Sequence, residues 1–90
     1  MDRKEILEAA LTNVTGKRVE DYGQVENNFA TIANMWNAYL GFDGVDEKDV
    51  AAMMALLKIA RIASGHGKSD NWVDLAGYAA CGGELEGEEE

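Results

Sequence analysis

The chain has 90 residues, of which 47% are hydrophobic, and it carries a formal net charge of −9. This length supports a single domain, and the longest apolar run, residues 50–57, is too short to span a bilayer. Cys81 is the only cysteine, which excludes an internal disulfide and a cysteine zinc cluster. The start of the chain is charged, unlike a signal peptide, so we expect a cytoplasmic protein.

The acidic residues are concentrated at the end of the sequence. Five of the seventeen fall in the last seven positions, ELEGEEE. We therefore expect residues 1–83 to form one domain and residues 84–90 to form a solvated, disordered tail. No basic face is present, so double-stranded nucleic acid is not an expected partner. An acidic decoy that imitates DNA is compatible with the charge, although simple solubility is a far more common reason for such a charge.

Apolar periodicity, the absence of proline and the clustering of glycine between periodic segments predict an all-α fold. A first helix begins after Asp2, which can act as its N-cap, and ends near Val14. One side of this helix is apolar: Ile6, Leu7, Ala10, Leu11 and Val14.

The second helix runs from about Gln24 to Leu40, and Gly41 suits the left-handed position that follows many helices. Its predicted core stripe has apolar residues at spacings of three and four: Val25, Phe29, Ile32, Trp36 and Tyr39.

Asp46 is the expected cap of a third helix, with Asp49 three residues later, and this helix ends near Ser64. Ser69 or Asp70 is expected to cap a fourth helix that ends within residues 81–84. Four helices joined by short links predict a compact four-helix bundle.

The third helix is apolar around most of its circumference. Between residues 50 and 63 only Lys58 and Arg61 are charged. Because a small domain buries only about 60% of its unfolded surface, it can hardly cover such a helix alone. We expect a homodimer or tetramer with AAMMALL, residues 51–57, at the interface; the alternative is a monomer with this helix at its centre.

Charged residues in the third and fourth helices are the candidates for chemistry. Asp70 and Asp74 lie one helical turn apart, as do Lys58 and Arg61. In the simplest interpretation the two helices are antiparallel neighbours, Lys58 or Arg61 forms an ion pair with Asp74, and Asp70 is only a cap.

Two alternatives involve a ligand. Asp70 and Asp74, with Glu26 as a third oxygen ligand, suit Mg²⁺ beside a phosphate. Alternatively, Lys58 and Arg61 bind an anion without catalysis, with Arg61 as a bidentate fork. Aromatic rings for stacking a base are Tyr22, Trp36, Trp72 and Tyr78. Core packing is the expected role of Trp36, whereas Trp72 in a first helical turn is expected to be partly exposed.

Three segments together carry a family resemblance: YGQVENNF (residues 22–29), MMALLKIAR (residues 53–61) and DNWVDLAGYAA (residues 70–80). They resemble a small helical domain family encoded by phages and prophages. The order of elements is also similar, more loosely, to nucleotide-modification-associated domains and to all-α nucleoside triphosphate pyrophosphatases of the MazG and dimeric dUTPase type.

This resemblance implies a helical oligomer that handles nucleotides, with Mg²⁺ held by acids on two helices. The sequence departs from the MazG pattern of E-x-x-E followed by E-x-x-D on the next helix. Phe29 stands where the partner of Glu26 would be, and Lys58 and Arg61 replace acids on the third helix.

Nucleotide binding is therefore our first functional hypothesis. In a phage, such a protein would sequester a host nucleotide signal in the host cytoplasm, as a counter-defence. A Mg²⁺-dependent nucleotide pyrophosphohydrolase is the second, and an acidic inhibitor or decoy acting on a host protein is the third. The predicted ligand-binding residues are Tyr22, Glu26, Lys58, Arg61 and Tyr78. The predicted metal ligands are Glu26, Asp70 and Asp74.

Overall fold

The computed structural model describes residues 1–16 and 25–87, with the side chains of residues 25–27 left out. It contains four helices: α1 Arg3–Thr15, α2 Val25–Leu40, α3 Glu47–Ala63 and α4 Ser69–Glu86. The described residues include no β-strand, so the predicted all-α class is confirmed. None of these helices is both long and apolar enough to cross a membrane.

Two of the helices begin with the caps that the sequence predicts. Asp2 accepts a hydrogen bond from the Glu5 amide, and the Glu5 side chain accepts one from the Asp2 amide. Asp46 and Asp49 form the same reciprocal arrangement at the start of α3, with both bonds between 2.9 and 3.0 Å. Each capping box satisfies two amides that a helix start would otherwise leave unpaired.

The predicted cap of α4 is wrong. The N-cap is Lys68, which makes no side-chain capping bond, and Ser69 is already the first helical residue. Helical bonding starts earlier because the Asn71 amide donates to the Lys68 carbonyl, while the Asn71 side chain donates to the His66 carbonyl. Asp70 lies in the first turn, where the helix dipole favours its negative charge.

The end of α4 also differs from the prediction. The helix continues to Glu86 rather than ending within residues 81–84, so it includes the first part of the predicted tail. Leu85 lies one turn after Cys81 and packs against the core. That contact stabilises the helix through Gly82 and Gly83, which on propensity alone favour an earlier end.

The helices pack in a defined order. α3 and α4 form the central pair, α1 packs on α4, and α2 packs on α3. The buried core cluster lies between α2, α3 and α4: Phe29, Ala33, Val50, Ala51 and Cys81. An ion pair between Lys48 and Glu86, 3.3 Å long, links the start of α3 to the end of α4, as expected for antiparallel neighbours.

The turn between α2 and α3 is fixed by local bonds. Gly41 has a φ of +66°, which confirms the predicted left-handed position after α2. The Asn37 side chain then bonds both the carbonyl and the amide of Val45, at 2.9 and 3.0 Å. These bonds hold the start of α3 against the end of α2.

The predicted apolar stripes are buried only in part. On α2, Phe29 is buried, but Tyr39 is 91% exposed and is not a core residue. Tyr39 lies ten residues after Phe29 and so about 80° from it around the helix, whereas Ala33, about one turn after Phe29, is buried. On α1 the buried side is narrower than predicted, because Leu7 and Leu11 are exposed.

Candidate functional site

Two of the predicted site residues form an ion pair across the central helices. The Lys58 Nζ lies 3.1 Å from the Asp74 Oδ2, and the side chains are only 18% and 29% exposed. This is the pairing of the simplest interpretation of the sequence. Both groups therefore neutralise each other within the protein.

Arg61 has a different partner. Its Nε donates to the Asn71 Oδ1 at 3.1 Å, and the Asn71 Nδ2 donates to the backbone carbonyl of His66. Asn71 is only 3% exposed, so its amide is a fixed support rather than a mobile surface group. Among the described residues Arg61 forms no ion pair with an acid.

This hydrogen-bond chain orients the guanidinium. An arginine side chain has five N–H donors in a planar fork. With Nε bonded to Asn71, the two terminal amino groups of Arg61, an exposed residue, form no further hydrogen bond with the described residues. Arginine uses these two groups to donate two parallel bonds to a carboxylate or a phosphate.

The start of α4 lies beside this guanidinium, because Asn71 is the third residue of the helix. No side chain caps the first turn, so its leading amides are free of side-chain acceptors in the described structure. Lys68 is exposed at the N-cap, and Trp72 in the first turn is 48% exposed, as predicted. A helix start of this kind carries partial positive charge.

The other aromatic candidates are engaged in packing. Tyr78 stacks on Phe29 with ring centroids 6.3 Å apart and an angle of 30° between the ring planes. Trp36 packs against the core cluster, which confirms its expected role. The Tyr78 ring also lines an open groove of about 230 Å³ between α3 and α4, whose other walls are mainly alanine and glycine.

The predicted metal ligands are only partly within the described structure. Tyr22 and the side chain of Glu26 lie outside it. Asp70 is exposed, and Asp74 is paired with Lys58. The described residues contain no group of three or more acidic, histidine or cysteine side chains that could hold a metal ion. Mg²⁺ binding therefore stays a prediction that needs Glu26 or a ligand's own oxygen atoms.

Asn71 is the site residue that the sequence analysis missed. It lies three residues before Asp74 and seven before Tyr78, so all three project from neighbouring positions on α4. The spacing is visible in the sequence, but the burial of Asn71, which requires hydrogen-bond partners, depends on the packing of α4 against α3.

The sequence of nearly the whole chain matches one protein family. Residues 5–86 match the model of a family described as a domain of unknown function, DUF6378. The chain belongs to this family. Its helices α1 to α4 all lie within the matched region, apart from the first two residues of α1.

Two relatives of this DUF6378 chain are phage proteins. The Gene 55 protein of Mycobacterium phage L5 is 43% identical over 74 residues, which cover 82% of this chain and 47% of that protein. The Gene 55 protein of Mycobacterium phage D29 is 38% identical over 78 residues, covering 87% and 51% respectively. The chain thus spans about half the length of the curated relatives it matches.

These relatives confirm the resemblance to a small phage domain family. They give no support to the looser resemblance to MazG-type pyrophosphatases. No solved structure is significantly similar to the chain.

Proposed function

We propose that this DUF6378 domain binds a phosphate-bearing small molecule, in the first place a nucleotide, at the start of α4. The observation that carries the proposal is the exposed Arg61 guanidinium, which the buried Asn71 amide orients and no described acid neutralises. A cation held in this way loses little side-chain entropy when an anion binds.

The helix start supplies further donors. The uncapped first turn of α4 offers backbone amides to a phosphate oxygen, and Lys68 adds positive charge. Trp72 presents a half-exposed indole one residue after Asn71, where a nucleobase can stack on it. Tyr22, and Glu26 in the first turn of α2, stay predicted contributors to the proposed site.

Asp70 determines the form in which the ligand binds. Its carboxylate projects from the same first turn and repels a free phosphate. A nucleotide that arrives with Mg²⁺ removes this repulsion, since Mg²⁺ in proteins is commonly held by one or two carboxylates together with phosphate oxygens. We therefore propose that Asp70 favours the magnesium complex of a nucleotide, with Asp74 and Glu26 as further ligands.

The alternative function, Mg²⁺-dependent pyrophosphohydrolysis, uses the same residues. It requires more carboxylates around the phosphates than the described helices supply. Binding without turnover, suited to sequestering a nucleotide signal, is therefore the better supported function.

The test is a thermal-shift and calorimetric titration with nucleoside mono-, di- and triphosphates, with and without MgCl₂. At least one nucleotide should raise the melting temperature. Arg61→Gln should weaken its binding about tenfold or more, a loss of about 1.4 kcal/mol. Arg3→Gln is the matched control, because Arg3 is an exposed helical arginine like Arg61 but lies in the first turn of α1, and it should leave binding unchanged.

Two further measurements separate the alternatives. Asp70→Asn should strengthen binding in the absence of Mg²⁺ and weaken it in its presence. Phosphorus NMR of the incubated mixture should show the nucleotide unchanged, whereas release of pyrophosphate identifies the hydrolase. The binding proposal is refuted if no nucleotide stabilises the protein, or if Arg61→Gln binds as tightly as the wild type.

A further inference from the structure

The outward side of α3 is apolar along most of its length. Seven residues form this surface, which we call the α3 outer face, and all are exposed: Ala52, Met53, Leu56, Leu57, Ile59, Ala60 and Ala63. Met53 is 44% exposed, Leu56 62%, Leu57 48% and Ile59 47%.

The charged and apolar residues of α3 are distributed in the opposite way to those of an ordinary surface helix. After the first turn the only charged residues are Lys58 and Arg61, and both bond to side chains of α4. A surface helix normally turns its charges to water and its apolar stripe to the core. In α3 the charged groups face the neighbouring helix, and apolar groups face outward.

The exposed apolar residues of this surface are contiguous. Complete burial of their exposed parts sets an upper limit of roughly 500 Å² per chain, or roughly 1,000 Å² when two such faces meet, which is the small end of specific protein–protein interfaces. Contiguous exposed apolar patches of several hundred Å² commonly mark interaction sites.

We propose that the α3 outer face pairs with the same face of a second copy in an antiparallel, two-fold symmetric dimer. The distribution of charge along α3 favours a second copy of the chain as the partner, with its α3 antiparallel to the first. At the start of α3, Asp46 and Asp49 are exposed and Lys48 is paired with Glu86, whereas Lys68 follows shortly after the end of the helix. Antiparallel copies place acidic ends beside basic ends, whereas parallel copies place like charges together.

The order of large and small side chains fits a particular register. With the two-fold axis between Leu56 and Leu57, Leu56 meets Leu57 of the partner subunit, and Met53 meets Ala60 of the partner subunit. Large residues are thus opposite small ones on either side of a leucine centre.

The first experiment measures mass in solution. Light scattering coupled to size-exclusion chromatography should give a dimer for the wild-type chain at micromolar concentration and a monomer for Leu56→Glu. Leu7→Glu on α1 is the matched control, since Leu7 is 63% exposed and Leu56 is 62% exposed. It should remain a dimer, and circular dichroism should show unchanged helicity in both variants.

A wild-type monomer would overturn the proposal, as would a dimer that survives Leu56→Glu. Loss of the dimer in Leu7→Glu with its helicity retained would also overturn it, by placing the interface on α1. A tetramer that Leu56→Glu reduces to a dimer would support the α3 outer face as one of its interfaces.

The second experiment tests direction and register through disulfide formation in a Cys81→Ala background. Residues 53 and 60 of one helix are about 10 Å apart, too far to bridge within a chain. In the antiparallel register the Met53→Cys/Ala60→Cys double variant should form dimers with two disulfides under mild oxidation. Met53→Cys alone should not cross-link, and efficient cross-linking of that single variant would instead show a parallel pair and overturn the proposed direction.

Discussion

The Lys58–Asp74 ion pair allows a direct test of how α3 and α4 are held together. Its N–O distance of 3.1 Å and its side-chain exposures of 18% and 29% place it between surface pairs and fully buried ones. Exposed pairs contribute about 0–1 kcal/mol, and removing one partner of a fully buried pair costs about 3–5 kcal/mol. We expect the coupling between the two side chains to lie between these limits, at about 1–2 kcal/mol.

A double-mutant cycle measures this coupling. Lys58→Met keeps the aliphatic stem and removes the charge, and Asp74→Ala removes the carboxylate. Each single variant should lose about 1–2 kcal/mol of unfolding free energy, mainly because the remaining charge is left half-buried without its partner. The double variant should lose less than the sum of the two by the coupling energy.

Urea denaturation followed by circular dichroism gives the four free energies. All four proteins must be compared at one concentration, because self-association would make stability depend on concentration. A coupling below about 0.5 kcal/mol would refute the reasoning, since it would make the pair equivalent to an ordinary surface contact. Lys58 and Asp74 would then be available for a ligand, in the roles that the sequence predicts for them.

Three further predictions concern stability and use the same assay. Phe29→Ala should cost about 3–4 kcal/mol, because Phe29 is buried and stacks on Tyr78; a loss below about 1 kcal/mol would contradict its core position. Asp46→Ala should cost about 1 kcal/mol through loss of the capping box, and no change would show that this box contributes nothing. Gly41→Ala should destabilise the protein by about 1 kcal/mol, because the φ of Gly41 is +66°. Gly83→Ala should stabilise it by about 0.5–1 kcal/mol, because Gly83 is helical and has open space around it. Equal effects of the two substitutions would contradict this argument from backbone conformation.

Part of the candidate site could be predicted from the sequence. Arg61 was identified because residue type and helical spacing indicate anion binding. Asn71, which orients Arg61, was not identified, since its burial depends on how closely α4 approaches α3. Tyr78 was predicted as a ligand-binding ring, but in the structure it stacks on Phe29. That contact could not be predicted, because the two residues are almost fifty positions apart in the sequence.

The sequence alone determined the helical class, the four helices, two of their caps and the left-handed glycine after α2. These features depend on interactions between residues within one or two turns of each other, which a sequence pattern records directly. The tertiary structure decided where α4 begins and ends, which residues of α1 and α2 are buried, and which way the charges of α3 point. Those outcomes depend on the rotation and contact of one helix against another, and local spacing does not fix that rotation.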